Sequence, residues 1–179
     1  MRSPLMILGV MACLCSGCAL TSSTQATTPT ATIAATATGA PTSVKVYFSK
    51  MGDAVPAHVF PVTRSAPAGH LETFAIEQLI LGPTAVEAQT GLYSALTNRF
   101  IGTSNCGGPD FTLRFDQRDK TPEVGTTTMQ LCREIPSPGD TGAVIILSEV
   151  SATLKQFPTI QKVIIIDFDN TCFADLVGC

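Results

Sequence analysis

Tryptophan is absent from these 179 residues, tyrosine occurs twice, and aromatic residues make up 6% of the chain. Nothing therefore offers the aromatic-and-basic surface on which single-stranded bases stack. Charge is scarce as well, at 14% of residues, and a formal balance of -3 leaves no basic footprint to neutralise a phosphate backbone. Both shortages argue against nucleic acid as a partner. The two histidines, His58 and His70, belong to no metal-ligand spacing and to no serine or cysteine nucleophile motif. A glycine-rich phosphate loop is missing too: "GTSNCGGPD" has adjacent glycines but no helix pattern behind them and no Lys-Ser/Thr, which makes it a loop turn. No catalytic residue, cofactor or metal site is expected. What the chain does have is 45% hydrophobic residues, enough for the core of one ordinary domain with appendages.

After Arg2, the run "PLMILGVMACLCSGCAL" is too short to cross a bilayer comfortably and ends in small residues and a cysteine, the pattern of an export signal. Its end, "LCSGC", resembles the lipobox of bacterial lipoproteins, in which cleavage falls before a cysteine that then carries lipid. The matching residue is Cys18; the third position before it holds Cys15 where Leu is usual, with Leu14 displaced by one. The resemblance implies a signal peptide over residues 1–17 and a membrane anchor on Cys18. The protein would then sit at the outer face of the cytoplasmic membrane, in the periplasm or at the cell surface. Soluble secretion is the alternative. From Ala19 to Ser43 there is no charge and almost nothing but Thr, Ala, Ser and Pro, a composition that cannot bury enough to offset ordering entropy. Residues 18–43 thus read as a lipidated cysteine and a disordered tether reaching on the order of 30 Å. A glycosylated spacer and a passive tail remain equally open.

The folded part is expected over residues 44–179. In "SVKVYFS", Val44, Val46 and Phe48 alternate with Lys45, Tyr47 and Ser49, the period of a half-buried strand. "HVFPVTR" is a second strand, which Pro61 confines to an edge or the start of a ladder. "HLETFAIEQLIL" has helical spacing, and Gly82-Pro83 stops it. "RFIGTS" and "FTLRFD" read as strands, and "TTTMQLCR" pairs antiparallel with the latter across the turn "QRDKTPEVG". Carboxylates Asp110, Asp116, Asp119 and Glu123 around this hairpin interleave with Arg114, Arg118 and Lys120, as on a solvated face. In "TGAVIILSEVSATLKQF", Ala143, Ile146, Leu147, Val150, Leu154 and Phe157 form one helical stripe, although Val144, Ile145 and Ile146 suit a strand equally well.

The stretch "AIEQLILGPTAVEAQTGLYSAL" resembles the signature segment of the GerMN domain, named from bacterial sporulation and spore-germination proteins. The matching residues are Leu81, Gly82, Pro83, Thr84, Glu87, Gly91, Leu92, Ser94 and Ala95, and the helix ending "TLKQFP" matches at Thr153, Leu154, Gln156, Phe157 and Pro158. Each of these has a structural reading: Gly82 takes a left-handed cap, Pro83 forbids continuation, and Thr84 with Glu87 has capping-box spacing. The resemblance, with the element pattern, implies an α+β fold: a mostly antiparallel sheet of about five or six strands with two helices packed on one face. It also implies a module that acts by protein contact without catalysis. The expected role is a tethered, extracytoplasmic binding or scaffold protein whose partner is an envelope protein or cell-wall component. A small-ligand receptor lipoprotein, with a pocket between helices and sheet, is the alternative.

Of seven cysteines, Cys13 and Cys15 leave with the signal and Cys18 takes lipid, so Cys106, Cys132, Cys172 and Cys179 remain for two disulfides in an oxidising compartment. Three pairings are possible. If the hairpin forms as above, Cys106 and Cys132 meet at its open end and Cys172 with Cys179 closes a short terminal loop, which is the preferred arrangement.

"KVIIIDFDNT" resembles the aspartate motif of haloacid dehalogenase-type enzymes, which implies Asp167 as nucleophile, Asp169 as general acid/base and Mg²⁺ between them. Such enzymes place that motif on an early strand and draw a lysine and further acids from the parallel sheet that follows, whereas ten residues follow Asp169. The upstream segments also lack repeated strand-helix alternation. The expectation is a buried strand ending in turn-forming Asp and Asn, and no phosphohydrolase.

Overall fold

The computed structural model describes residues 42–118 and 120–173. Strand β1 (Thr42–Lys50) begins two residues before the expected boundary at Val44. It carries the predicted alternation, with Val44, Val46 and Phe48 buried and Lys45 exposed. Strand β2 (Phe60–Ala66) runs antiparallel to it at the sheet edge, with Pro61 opposite Tyr47, where a residue lacking an N–H is tolerated. Helix α1 (Leu71–Leu81) buries Ala75, Ile76 and Leu79. It stops at Gly82, whose φ of 87° suits a residue without Cβ and whose N–H donates to Gln78 O. A short helix α2 (Ala85–Gln89) and a two-residue strand β3 (Leu92–Tyr93) follow, and β3 pairs with Ser49 and Lys50 on the other side of β1.

The second half starts with the predicted hairpin of β4 (Phe111–Arg118) and β5 (Thr121–Leu131). Helix α3 (Gly139–Lys155) then crosses over to β6 (Lys162–Ile166), which lies parallel to β5; a parallel neighbour requires such a crossover. The β-branched start of α3 is helical, and the stripe of Ala143, Ile146, Val150 and Leu154 is buried as its spacing demands.

Four expectations need correction. The described strands form two three-stranded sheets, ordered β2-β1-β3 and β4-β5-β6, and not one sheet of five or six. Three helices are described, not two. "RFIGTS" is no strand; only Ile101 bridges, to Glu134. "QRDKTPEVG" is largely strand, with Arg118 opposite Thr121 beyond an irregularity at Asp116 (φ 53°), whose Oδ1 accepts the N–H of Gly125 at 2.8 Å.

The division into two sheets has a physical cause in α3. Its side chains at 149, 153 and 156 share one helix face, and the N–H groups of residues 45, 47 and 49 share one strand edge. Ser49 N–H donates to Glu149 Oε1 at 3.2 Å, Tyr47 N–H to Thr153 Oγ1 at 3.1 Å, and Lys45 N–H to Gln156 Oε1 at 2.7 Å. The Gln156 amide returns a bond from Nε2 to Lys45 O at 2.5 Å. Helical rise over three or four residues, about 4.5 to 6 Å, roughly matches the spacing of alternate residues along a strand, so the two ladders keep step. Side chains of a helix thus occupy the edge of β1 where a further strand would otherwise pair. The apolar faces of both halves still meet in one core, where Phe48, Ile76, Leu79, Leu96, Met129, Leu131, Ile146, Val150 and Leu154 are fully buried. Each such side chain contributes about 1.5 to 3 kcal/mol relative to exposure.

Candidate functional site

The two acids at the end of β6 open onto a cleft of about 530 Å³ between the 167–170 turn, the segment before α3, and the first turn of that helix. Glu134, Asp140, Asp167 and Asp169 line it beside Ile135, Phe168 and Phe173, and none of its described lining residues is Lys, Arg or His. The turn is closed by its own backbone: Asn170 N–H donates to Asp167 O at 3.0 Å and Asp167 N–H to Thr171 O at 2.7 Å. Both carboxylates serve it. Asp167 Oδ1 accepts the N–H of Phe168 at 2.7 Å, and Asp169 Oδ1 accepts both the hydroxyl of Thr171 at 2.7 Å and its N–H at 3.1 Å. The Thr171 hydroxyl, then its N–H, hold the Asp169 carboxyl below its usual range. A general acid needs the opposite shift. The lining acids attract cations and repel a phosphate ester. Among the described residues no three His, Cys, Asp or Glu side chains are grouped to hold a metal ion.

The segment that carries the GerMN resemblance is arranged around the corner after α1. Thr84 Oγ1 accepts the N–H of Glu87, and Glu87 Oε2 accepts the N–H of Thr84 at 2.8 Å, which completes the capping box. The same carboxylate takes a two-pronged contact from Arg64 on β2, at 2.7 and 2.6 Å, and that guanidinium holds Glu87 down to about 2. Gly91, at φ 90°, leads into Leu92 on β3. Ser94 and Ala95 then reach the buried Glu149: Ser94 Oγ donates to it at 3.2 Å and Ala95 N–H at 3.0 Å. Burial pushes Glu149 up to about 7, against the pull of these donors. Phe157 and Pro158 close the end of α3, with Phe157 packed half-buried against the core.

One signature residue departs from its structural reading. Leu81 is 70% exposed, and Val86, just beyond the corner, is 72% exposed. Leu81 borders a groove of about 380 Å³ with Ile80, Pro109 and Phe111, rimmed by Glu77 and Asp110.

Cys106 and Cys132 are bonded to each other, as the hairpin predicts. Cys172 also takes part in a disulfide; its expected partner Cys179, like Cys18, the signal peptide and the tether up to residue 41, lies outside the described residues. His58 stands 3.4 Å from Asp53 and His70 takes a left-handed turn before α1. Of the clustered hairpin charges, Asp116, Arg118 and Lys120 are exposed, while Asp110 pairs with Arg133 at 3.0 Å and Glu123 with Lys162 at 3.0 Å. One buried group escaped the sequence, Glu149. The short spacing of Glu149 from Thr153 and Gln156 on one helix face is the signal that could have revealed it.

No protein-family model and no curated protein matches the sequence. Among solved structures, the chain is similar to the tandem GerMN domains of the sporulation protein GerM from Bacillus subtilis, at 18% identity and a TM-score of 0.44 over 75% of this chain. The match spans 44% of that chain, less than half its length. It is also similar to a candidate lipoprotein from Clostridium perfringens, at 20% identity and a TM-score of 0.37, over 74% of this chain and 77% of the other.

Proposed function

We propose that this chain is a lipoprotein held outside the cytoplasmic membrane by lipid on Cys18, and that its domain binds an envelope protein or cell-wall component without catalysis. The observation that carries the reading is the exposure of Leu81 and Val86 on either side of a corner whose other residues are committed to caps, turns and ion pairs. A large apolar side chain kept in water at the border of a partly apolar groove, with a second exposed one just beyond the corner, supports a contact surface there. The Cys106–Cys132 disulfide supports an oxidising compartment, in keeping with the export signal. The receptor reading in its original form, a ligand enclosed between helices and sheets, has less support, because Ile76, Leu79, Ile146 and Val150 fill that space.

The test is crosslinking in intact envelopes. Wild type should capture a partner that Leu81→Asp with Val86→Asp does not, at unchanged thermal stability, and Cys18→Ala should release the protein from the membrane. Capture that survives both surface charges would overturn the contact surface. Mg²⁺-dependent phosphatase turnover that disappears in Asp167→Asn would overturn the non-catalytic reading.

A further inference from the structure

On the face of β4 and β5 turned away from the core residues Leu113, Met129 and Leu131, a polar pocket of about 390 Å³ is lined by Asn105, Cys106, Thr112, Arg114, Gln130 and Asn170. Every lining side chain but the disulfide cysteine is a hydrogen-bonding group, and Arg114 is the sole charge among them. No carboxylate stands within ion-pair distance of Arg114 among the described residues. Its Nε is buried without a protein partner, and its Nη2 reaches Gln130 Oε1 only at 3.4 Å. A guanidinium carries five donors, and leaving them unmet in a half-buried position is costly. The walls, by contrast, are fixed. Gln130 donates from Nε2 to Asp167 O at 2.5 Å, Asn105 from Nδ2 to Phe168 O at 2.8 Å, and the disulfide ties Cys106 to Cys132 beside them. Thr112 sits directly opposite Gln130 in the ladder.

From this we infer that the pocket is a binding site for a carboxylate-bearing small molecule. The arginine fork takes the carboxylate, and Thr112 with the Asn amides contacts neighbouring hydroxyl or amide groups, while Gln130 holds the wall. The volume lies within the range of small-ligand sites. This pocket is separate from the Leu81 surface and does not depend on it. Two sources share the chemistry: a sugar acid and the free carboxyl end of a peptide.

The full chain, followed by proton–nitrogen NMR of the arginine Nε–H and side-chain amide signals, is titrated with glucuronate and with acetylated alanyl-alanine. Glucose and the amidated dipeptide are the neutral controls. The expected result is a saturable shift at Arg114, Asn105 and Asn170 with one or both carboxylates and none with the controls. A response to one carboxylate alone identifies the source. Arg114→Gln should weaken binding at least tenfold, and Arg114→Lys, which keeps charge without the fork, by less. Thr112→Val, a same-shape change at the pocket wall, provides a second variant should Arg114→Gln fail to fold, and should weaken binding several-fold. No saturable shift with either carboxylate overturns the site, as does equal binding by wild type and whichever of these variants folds.

Discussion

Gln156 meets Lys45 as a strand residue would, accepting its N–H at 2.7 Å and donating to its carbonyl at 2.5 Å, although it sits at the end of a helix. Gln156→Ala should therefore strip a backbone pair from β1 and cost about 1 to 2 kcal/mol. Urea denaturation measures the loss, and amide exchange at Lys45 should accelerate while exchange in β5 does not. Gln156→Glu should restore the acceptor but not the donor, and recover only part of the loss.

Glu149 sets the pH dependence above acid pH. Its folded value of about 7 lies above the ordinary 4.5, so the folded state binds the proton more tightly than the unfolded chain does. Its contribution is complete below pH 4.5 and is lost as pH rises through 7. Unfolding free energy should fall by about 2 to 3 kcal/mol between roughly pH 5 and 8, and Glu149→Gln should remove most of that slope. Denaturation curves of both proteins at the two pH values decide it.

Glu87 acts in the opposite sense and in another window. Arg64 lowers its folded value to about 2 from 4.5, so its contribution is present above 4.5 and lost as pH falls through 2. Arg64→Ala and Glu87→Gln should each cost about 1 to 2 kcal/mol at neutral pH, tempered by the water that still reaches both groups. A double-mutant cycle should show coupling, and the coupling should vanish in acid.

Cys106→Ser with Cys132→Ser opens a loop whose ends lie 26 residues apart. Loop closure of that length is worth about 3 to 4 kcal/mol in the chain-entropy model. The thermal midpoint should drop by several degrees under non-reducing conditions, and added thiol should have a much smaller effect on the double variant than on wild type.

Local features were legible where they depend on near neighbours. The alternation of Val44, Val46 and Phe48 fixed the buried face of β1, Pro61 marked an edge, Thr84 and Glu87 announced a cap, and the hairpin brought Cys106 to Cys132. Illegible were choices made between distant segments. Glu149 reads as a solvent residue inside an apolar helix, and the N–H groups of Ser49 and Ala95 with the hydroxyl of Ser94, 100, 54 and 55 residues away, make its burial tolerable. The same long-range bonds set the expected helix α3 against the edge of β1, where a further strand would otherwise have joined the two sheets. Residues Thr126 to Thr128 look polar enough for a surface, yet they are buried because β5 is flanked by β4 and β6 on both edges. Arg114 read as one charge among several on the hairpin, since a cation without a carboxylate partner shows only once its surroundings are known.

Strand β6 is the last described strand of the chain, and it lies parallel to β5. A chain that emerges from its N-terminal end cannot lay it down until α3 has appeared. Until then β5 has one vacant rim of amides and carbonyls, open to any extended segment nearby. Yield of folded protein should accordingly be sensitive to truncation anywhere before Lys162, with clumping during folding, and not slow unfolding afterwards, as the mode of failure.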